Sequence, residues 1–356
     1  MNSDEARANA SFRDGPGHSP GKLSLEGKSV AVTGGAGFLG SHVVRLLLQQ
    51  GCSVRILDDF SNGKMEHLGD MVENPWLEII RGDVTRVADV RRAFSGCQIV
   101  IHLAVLCLRE SIKAPRRVNH VIVDGTLNCL SVALEDEVEL FLNCSSSEVY
   151  GSALHIPMDE AHPLRPETPY AAAKVAQDVY VHSYGRTYGL PWVTIRPFNM
   201  YGSNSHWQGY RGEVIPRMIV RAMNREPLIM FGDGTQTRDF VYVEDAARAV
   251  IELAREPACR EQCVNFCSST ETSVRTIAEL ICRHFELDPA TFIRSESPRP
   301  GDVARHLGDN SKFRELVGFI PQVRIDEGIG LTIDWFESLP ISPQLMLSSE
   351  RLRAWE

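Results

Sequence analysis

Tyr170 and Lys174 stand four residues apart in Pro-Tyr-Ala-Ala-Ala-Lys-Val-Ala-Gln-Asp-Val-Tyr, the run from Pro169 to Tyr180. On a helix that spacing puts phenol and ammonium on one face. A nearby ammonium favours the phenolate and lowers a phenol's pKa from about 10 toward neutrality. A phenol tuned in this way is a base for a sugar hydroxyl at physiological pH. A second set of residues lies far upstream. Gly34, Gly37 and Gly40 recur in Thr-Gly-Gly-Ala-Gly-Phe-Leu-Gly, which follows a short apolar run. Glycines at a strand-to-helix turn let a pyrophosphate approach the backbone, where the free N–H groups of the helix N-terminus face it.

Both sets need elements to position them. Val30 to Val32 reads as a buried parallel strand, and Val43, Val44, Leu46, Leu47 and Leu48 carry helical spacing beyond the glycines. Ser53 to Leu57 is a second strand ending in Asp58-Asp59, about 20 residues past the turn. A carboxylate there accepts both hydroxyls of an adenosine ribose and repels a 2′-phosphate, which points to NAD rather than NADP. Asp58 is preferred because it directly follows the strand. Leu77 to Arg81 is a third strand. Behind it, Asp83 either accepts from an adenine amino group or serves the turn before a helix over Val87 to Phe94.

Gln98 to Leu103 is a fourth strand running into Ala104, where a small residue lets a dinucleotide cross the strand end. His102, inside that strand, reads as structural. Asn119 to Leu134 has helical periodicity, and Glu139 to Cys144 is a fifth strand that delivers Ser145, Ser146, Ser147 and Glu148. Strands alternating with helices predict a doubly wound parallel α/β sheet. Ligands bind beyond the carboxyl ends of such strands. Gly34, Asp58, Asp83, Ala104 and Ser146 all follow strand ends.

On the glycine run, Asp58, the Ser-Ser-Ser run and Tyr-Ala-Ala-Ala-Lys, the chain resembles the extended short-chain dehydrogenase/reductase family. More closely it is similar to the nucleotide-sugar epimerase/dehydratase branch. Arg196-Pro197-Phe198-Asn199-Met200-Tyr201-Gly202, Gly232-Asp233-Gly234 with Thr237 to Val243, and Arg299-Pro300-Gly301-Asp302 extend the likeness over roughly residues 27 to 340. The resemblance implies a Rossmann NAD-binding domain over 26–196 and 241–268. It implies a smaller, discontinuous α/β substrate domain over 197–240 and 269–340, with a mobile tail at 1–25 and a C-terminal tail at 341–356.

The same resemblance implies roles. Tyr170 takes the proton from the sugar 4-hydroxyl, Ser146 steadies that oxygen, and Lys174 holds the nicotinamide ribose. Phe38, Leu39, Val84 and Leu103 join Gly34, Gly37, Gly40, Asp58, Asp83 and Ala104 in holding NAD. Asn199, Arg238 and Arg299 match positions that hold the nucleotide diphosphate, and the helix over Val214 to Met223 resembles one that packs near the nucleotide base, with Arg217 a further contact there. Glu148 resembles the glutamate with which 4,6-dehydratases and uronate decarboxylases act at C5, while Ser147 departs from the aspartate of dTDP-glucose dehydratases. C5 proton abstraction is therefore the favoured outcome, with 4-epimerisation the alternative. A non-catalytic sensor of NAD or of sugar nucleotides is the reading from another class.

Two loops, Leu106 to Arg116 and Ser203 to Gly212, are expected to line the hexose pocket with Cys107, Arg109, Glu110, His206, Trp207, Gln208 and Arg211. Arg109 or Arg211 there could receive a C6 carboxylate. Family members commonly pair as homodimers through two helices, here those near Asn119 to Leu134 and Tyr170 to Tyr184. Val175, Val179, Val181 and Tyr184 are candidates for that face.

Composition bounds the rest. The 356 residues allow about two domains, and a hydrophobic content of 43% supports a sizeable core. A formal net charge of −9 argues against nucleic acid as a partner. An acidic protein that handles an anionic ligand must concentrate a few arginines locally, as the listed positions would. The nine cysteines are scattered without finger-like histidine spacing, so no metal site is expected and a reducing cytoplasm suits them. No apolar run approaches the roughly 20 residues a bilayer span needs, so no membrane partner is expected either.

Overall fold

Successive residues of the apolar runs face opposite sides of one sheet, as a period of two requires. In β1 (Ser29–Thr33), Val30 and Val32 enter one core cluster and Ala31 the other. Ile99 and Ile101 of β4 (Ile99–His102) divide from Val100 in the same way, as do Leu140 and Leu142 of β5 (Leu140–Cys144) from Phe141. Both faces being apolar, the sheet must be covered twice, which is the condition for an all-parallel sheet. Between these strands run β2 (Ser53–Asp58) and β3 (Leu77–Arg81). Farther along are β6 (Trp192–Pro197), β7 (Asn199–Tyr201), β8 (Leu228–Phe231), β9 (Thr237–Tyr242), β10 (Gln262–Phe266), β11 (Glu271–Ser273) and β12 (Ile293–Glu296).

In this computed structural model, which describes residues 21–209, 211–298 and 303–351, the main sheet has seven parallel strands in the order β10-β6-β5-β4-β1-β2-β3. The order reverses direction at β1 and β4, so the carboxyl ends there open a crevice. A three-stranded sheet, β11-β9-β7, and a parallel pair, β12-β8, build the second lobe. That lobe has its own core, centred on Tyr201, Met218, Ile219, Phe240, Ile277 and Phe336.

Several expectations change. The helix expected from Asn119 begins at Pro115 and passes through a π turn, His120–Asp124, before continuing as Gly125–Glu135. A Cβ on Gly125 would lie 2.7 Å from Val84 Cγ2, so the helix packs here against the turn after β3 with no side chain between. The segment Phe313 to Phe319, expected in the substrate domain, packs on the nucleotide-binding sheet, with Phe313 and Phe319 against Phe266 of β10. Residues 341–356 were expected as a tail, yet Pro343–Ser348 is helical and buries Met346 in the second lobe. At the other end, Lys22 pairs with Glu252 at 2.7 Å and Leu25 is buried, which ties down the last residues of the expected N-terminal tail. Its first twenty lie outside the described residues. Val181, proposed for a dimer face, belongs to the chain's own core, while Val179 is 56% exposed.

The glycine turn is tightly packed. A Cβ on Gly40 would sit 2.1 Å from the Gly34 carbonyl oxygen, where no atom fits. Gly40→Ala is expected to lower stability by about 3 kcal/mol, read from urea or thermal unfolding, and to release the cofactor from the purified protein.

Candidate active site

One cavity of about 840 Å³ runs along the strand-end crevice and into the second lobe. At one end stands the glycine turn. Gly34 has φ +70°, and a Cβ there would touch the Ala104 backbone at 3.0 Å, so both backbones meet at the crevice. Helix Phe38–Gln49 starts after Gly37, which offers no side-chain cap, and leaves its first N–H groups to the cavity that Gly37, Phe38, Leu39 and Gly40 line.

Asp58 is 6% exposed and also lines the cavity. Its Oδ2 accepts from Ala36 N–H at 3.0 Å and its Oδ1 from Phe60 N–H at 2.9 Å, and burial raises its pKa. Each carboxylate oxygen retains acceptor capacity for a ribose hydroxyl. Asp59 instead serves its own turn, accepting from Ser61 N–H and Oγ–H. Asp83 serves its own turn, its Oδ1 accepting from Thr85 N–H at 2.8 Å, and it also lines the cavity with Val84, Leu103 and Ala104. Glycine turn, uncapped helix and buried aspartate fit a dinucleotide.

Tyr170 and Lys174 occupy the first turns of helix Pro169–Tyr188, which Thr168 caps by accepting from Ala171 N–H at 3.1 Å. Both line the cavity, with Ser146 and Glu148 at the end of β5. Ser146 caps the short helical turn Ser147–Tyr150, accepting from Glu148 N–H at 3.2 Å, which fixes Glu148 beside it. The phenol of Tyr170 is hydrogen-bonded to Ser146, and Cys144, Glu148 and Cys107 are close enough for their charge to act on it.

The expected lowering of the phenol's pKa is not found here: burial raises it. Removing a phenolate from water costs more than its polar neighbours return. Lys174, only 2% exposed, spends its ammonium on Cys144 O at 2.8 Å and Gln177 Oε1 at 2.8 Å, and burial lowers its pKa.

Beneath the rim a buried hydrogen-bond chain joins the two halves of the site. Gln177 Nε2 donates to Thr126 Oγ1 at 3.0 Å, and that hydroxyl donates to Ile122 O. Its proton being committed, Thr126 can only accept from His102 Nε2 at 3.0 Å. His102 Nδ1 then accepts from Thr33 Oγ1 at 2.7 Å, and Thr33 Oγ1 accepts from the N–H groups of Leu103 and Ala104. The network assigns a neutral Nε2–H tautomer, and burial with the Lys174 charge holds the His102 pKa down to about 3. His102 is structural, as expected.

Beyond Tyr170 the cavity passes between the two loops. Cys107, Arg109 and His206 line it as expected. Glu110 does not; it is buried and pairs with Arg117 at 3.2 Å and Arg211 at 3.5 Å. Trp207 packs inward against Trp335 and Phe336. The second loop clasps the nucleotide-binding lobe. Lys64 Nζ lies 4.7 Å from the Trp207 ring and donates to Gln208 Oε1 at 3.1 Å, while Arg211 donates to Ser61 O at 2.8 Å.

Three cavity residues carried no sequence signal. Glu213 opens helix Val214–Met223, and burial raises its carboxyl pKa to about 7. Arg221 and Glu350 form an ion pair at 2.6 Å across 129 residues of chain. At this far end the cavity is lined by Asn199 and Arg238, expected for the diphosphate, and by Arg217, expected near the base. Arg238 donates to Val303 O at 2.7 Å and Arg217 to Gly209 O at 2.9 Å. Arg299 lies outside the described residues.

Residues 30–265 match the model of the NAD-dependent epimerase/dehydratase family. The chain belongs to that family. The UDP-glucose 4-epimerase of Mycolicibacterium smegmatis is 34% identical, covering 86% of this chain and 98% of its own length. The dTDP-glucose 4,6-dehydratase of Neisseria gonorrhoeae is 32% identical, covering 88% and 97%. The crystal structure of the Thermus thermophilus UDP-glucose 4-epimerase in complex with NAD superposes with a TM-score of 0.79 at 31% identity, covering 87% and 99%. The protein is accordingly an enzyme that uses NAD on a nucleotide sugar, which sets aside the sensor reading. No helix among the described residues is long and apolar enough to cross a membrane.

His102 supplies a pH signature. With a folded pKa of about 3 and an ordinary value of 6.5 when unfolded, only the unfolded chain takes up this proton between those limits. That contribution to stability is complete above pH 6.5 and is lost as pH falls. Between pH 7.5 and pH 5 the stability of the wild type relative to His102→Gln should therefore fall by about 2 kcal/mol, as measured by urea unfolding at both pH values.

Proposed function

We propose that the enzyme oxidises C4 of a nucleotide-diphosphate hexose and then works at C5, as a 4,6-dehydratase, with Glu148 as the base. The carrying observation is that Glu148 lines the cavity with Ser146 and acts electrostatically on Tyr170, so one substrate position can meet all three. NAD, when bound, supplies the hydride acceptor at C4 and a positive ring that favours the Tyr170 phenolate. Tyr170 takes the 4-hydroxyl proton while Ser146 donates to the same oxygen. With C4 a ketone, the C5 proton is acidified and Glu148 removes it. The proton on Glu148 then goes to the departing C6 hydroxyl, which leaves as water; the hydride taken from C4 would return to C6 while C5 takes a solvent proton, so that the cofactor ends oxidised as it began. Lys174 holds the ribose beside Tyr170, and Asn199, Arg217, Arg238 and Arg299 hold the diphosphate.

Dehydration is preferred to decarboxylation because Arg211, one candidate for a C6 carboxylate, is turned to Ser61 O and Glu110 instead of lining the cavity. The Glu213 carboxyl beside Arg109 is a poor neighbour for a uronate. The second reading is a 4-epimerase, which needs no acid at C6. Ser147, buried where dTDP-glucose dehydratases carry an aspartate, speaks for it.

We further take the exposed face of helix Pro169–Tyr188 as a homodimer surface, since the neighbours Val179 and Tyr180 are 56% and 38% exposed on one long helix. The nine free thiols accord with a cytoplasmic enzyme.

Incubation with UDP-, dTDP- and GDP-hexoses in deuterated water, followed by mass spectrometry, tests the chemistry. Loss of water with one deuterium gained is expected; no mass loss with a changed sugar would transfer the assignment to epimerisation. Glu148→Gln should abolish C5 exchange and leave C4 oxidation visible as reduced cofactor. Tyr170→Phe should lower kcat by about 100-fold or more and stop both steps. Val179→Glu should turn a dimer into a monomer in light scattering, and an unchanged mass would discard this surface.

A further inference from the structure

The far end of the cavity is closed by the last described residues of the chain. Helix Pro343–Ser348 is fastened to the end of helix Val214–Met223, where Asn224 Nδ2 donates to Pro343 O at 2.8 Å. The chain then runs beside the clasping loop, with Gly209 N–H donating to Ser349 O at 2.8 Å. This path brings Glu350 into the cavity wall beside Arg221 and the β8 residues Ile229, Met230 and Phe231.

The Glu350 side chain is 8% exposed. Its Oε2 accepts from Arg221 Nη1 at 2.6 Å, whereas its Oε1 is buried without a hydrogen-bond partner. Burying a carboxylate oxygen with nothing to accept from is costly, so such an atom in a cavity wall marks a place where a donor arrives. Arg221 fixes the carboxylate in place. The β8 residues of this wall are apolar.

On the reading that the cavity holds a nucleotide sugar, we propose that Glu350 is a specificity-determining residue for the nucleobase. Its Oε1 accepts the ring N–H of a base that carries one beside a carbonyl, namely uracil, thymine or guanine. Cytosine and adenine have no such N–H and leave the oxygen unpaired. The C-terminal segment is thereby part of the substrate site.

The test is calorimetric binding of UDP, dTDP, GDP, CDP and ADP to the full chain loaded with NAD. At least one of the first three should bind about tenfold or more tightly than CDP and ADP, as a charge-assisted hydrogen bond allows. The ring-N-methyl form of the best ligand should lose the same factor. The double variant Arg221→Met with Glu350→Leu leaves no buried charge unpaired. It should level the series and raise KM while kcat at saturation stays within about twofold of wild type. A ring-N-methyl nucleotide that binds wild type as tightly as its parent overturns the proposal, as does a folded double variant that still discriminates. The methylation comparison decides the matter on wild type alone if the variant does not fold. Selective nucleotide binding without turnover of any hexose would sink the proposed reaction and leave this site standing.

Discussion

Lys174 carries its charge into a place water hardly reaches, and a protein can hold an ammonium there only if fixed dipoles replace the lost hydration. The replacements are the carbonyl at the end of β5 and the amide of Gln177. Gln177 is itself oriented through Thr126, His102 and Thr33, and Thr33 holds the backbone N–H groups of Leu103 and Ala104. Every donor in this chain has one acceptor assigned, so its direction is set. The helix with the catalytic pair and the strand ends under the cofactor therefore hold a common alignment. A neutral His102 is a condition of that alignment, because a protonated ring could not accept from Thr33.

A second buried set holds the same helix one turn farther on. Arg196 of β6 pairs with Asp178 at 3.0 Å and donates to the Tyr150 hydroxyl at 3.0 Å, and that hydroxyl donates to Asn265 of β10 at 2.6 Å. These bonds link the turn after Glu148 to the edge of the sheet. Buried pairs of this kind contribute orientation more surely than stability. Glu148 thus sits on a turn held by Ser146 at one end and by Tyr150 at the other.

Over the cofactor groove the second loop is tied to the nucleotide-binding lobe by directional contacts. Lys64 against Trp207 and Gln208, Arg211 against Ser61, and Arg109 against the Arg211 carbonyl form them. Behind that rim Met200 of β7 and Val241 of β9 pack into the nucleotide-binding core, so the loop contacts are the ones that can part without exposing apolar surface.

Local pattern was enough for the strands, the glycine turn, Asp58 and the Tyr170–Lys174 face, because each rests on periodicity or on spacing within one turn. It also read His102 as structural, which its buried hydrogen bonds bear out. What needs distant segments to meet was beyond it. Whether Tyr170 is eased or burdened by its surroundings depends on desolvation, a property of the whole packed site, and the burden prevailed. Glu110 and Trp207 sit in loops that line the pocket, yet both turn inward once an arginine or an aromatic cluster takes them. The C-terminal residues have no motif, and only the fold brings Glu350 to Arg221. Sequence determined which residues could hold NAD and move a proton, since short-range geometry makes those groups neighbours. Tertiary structure alone decided which side chains reach the cavity and in what electrostatic state, since burial and long-range pairing do not exist until the chain has folded.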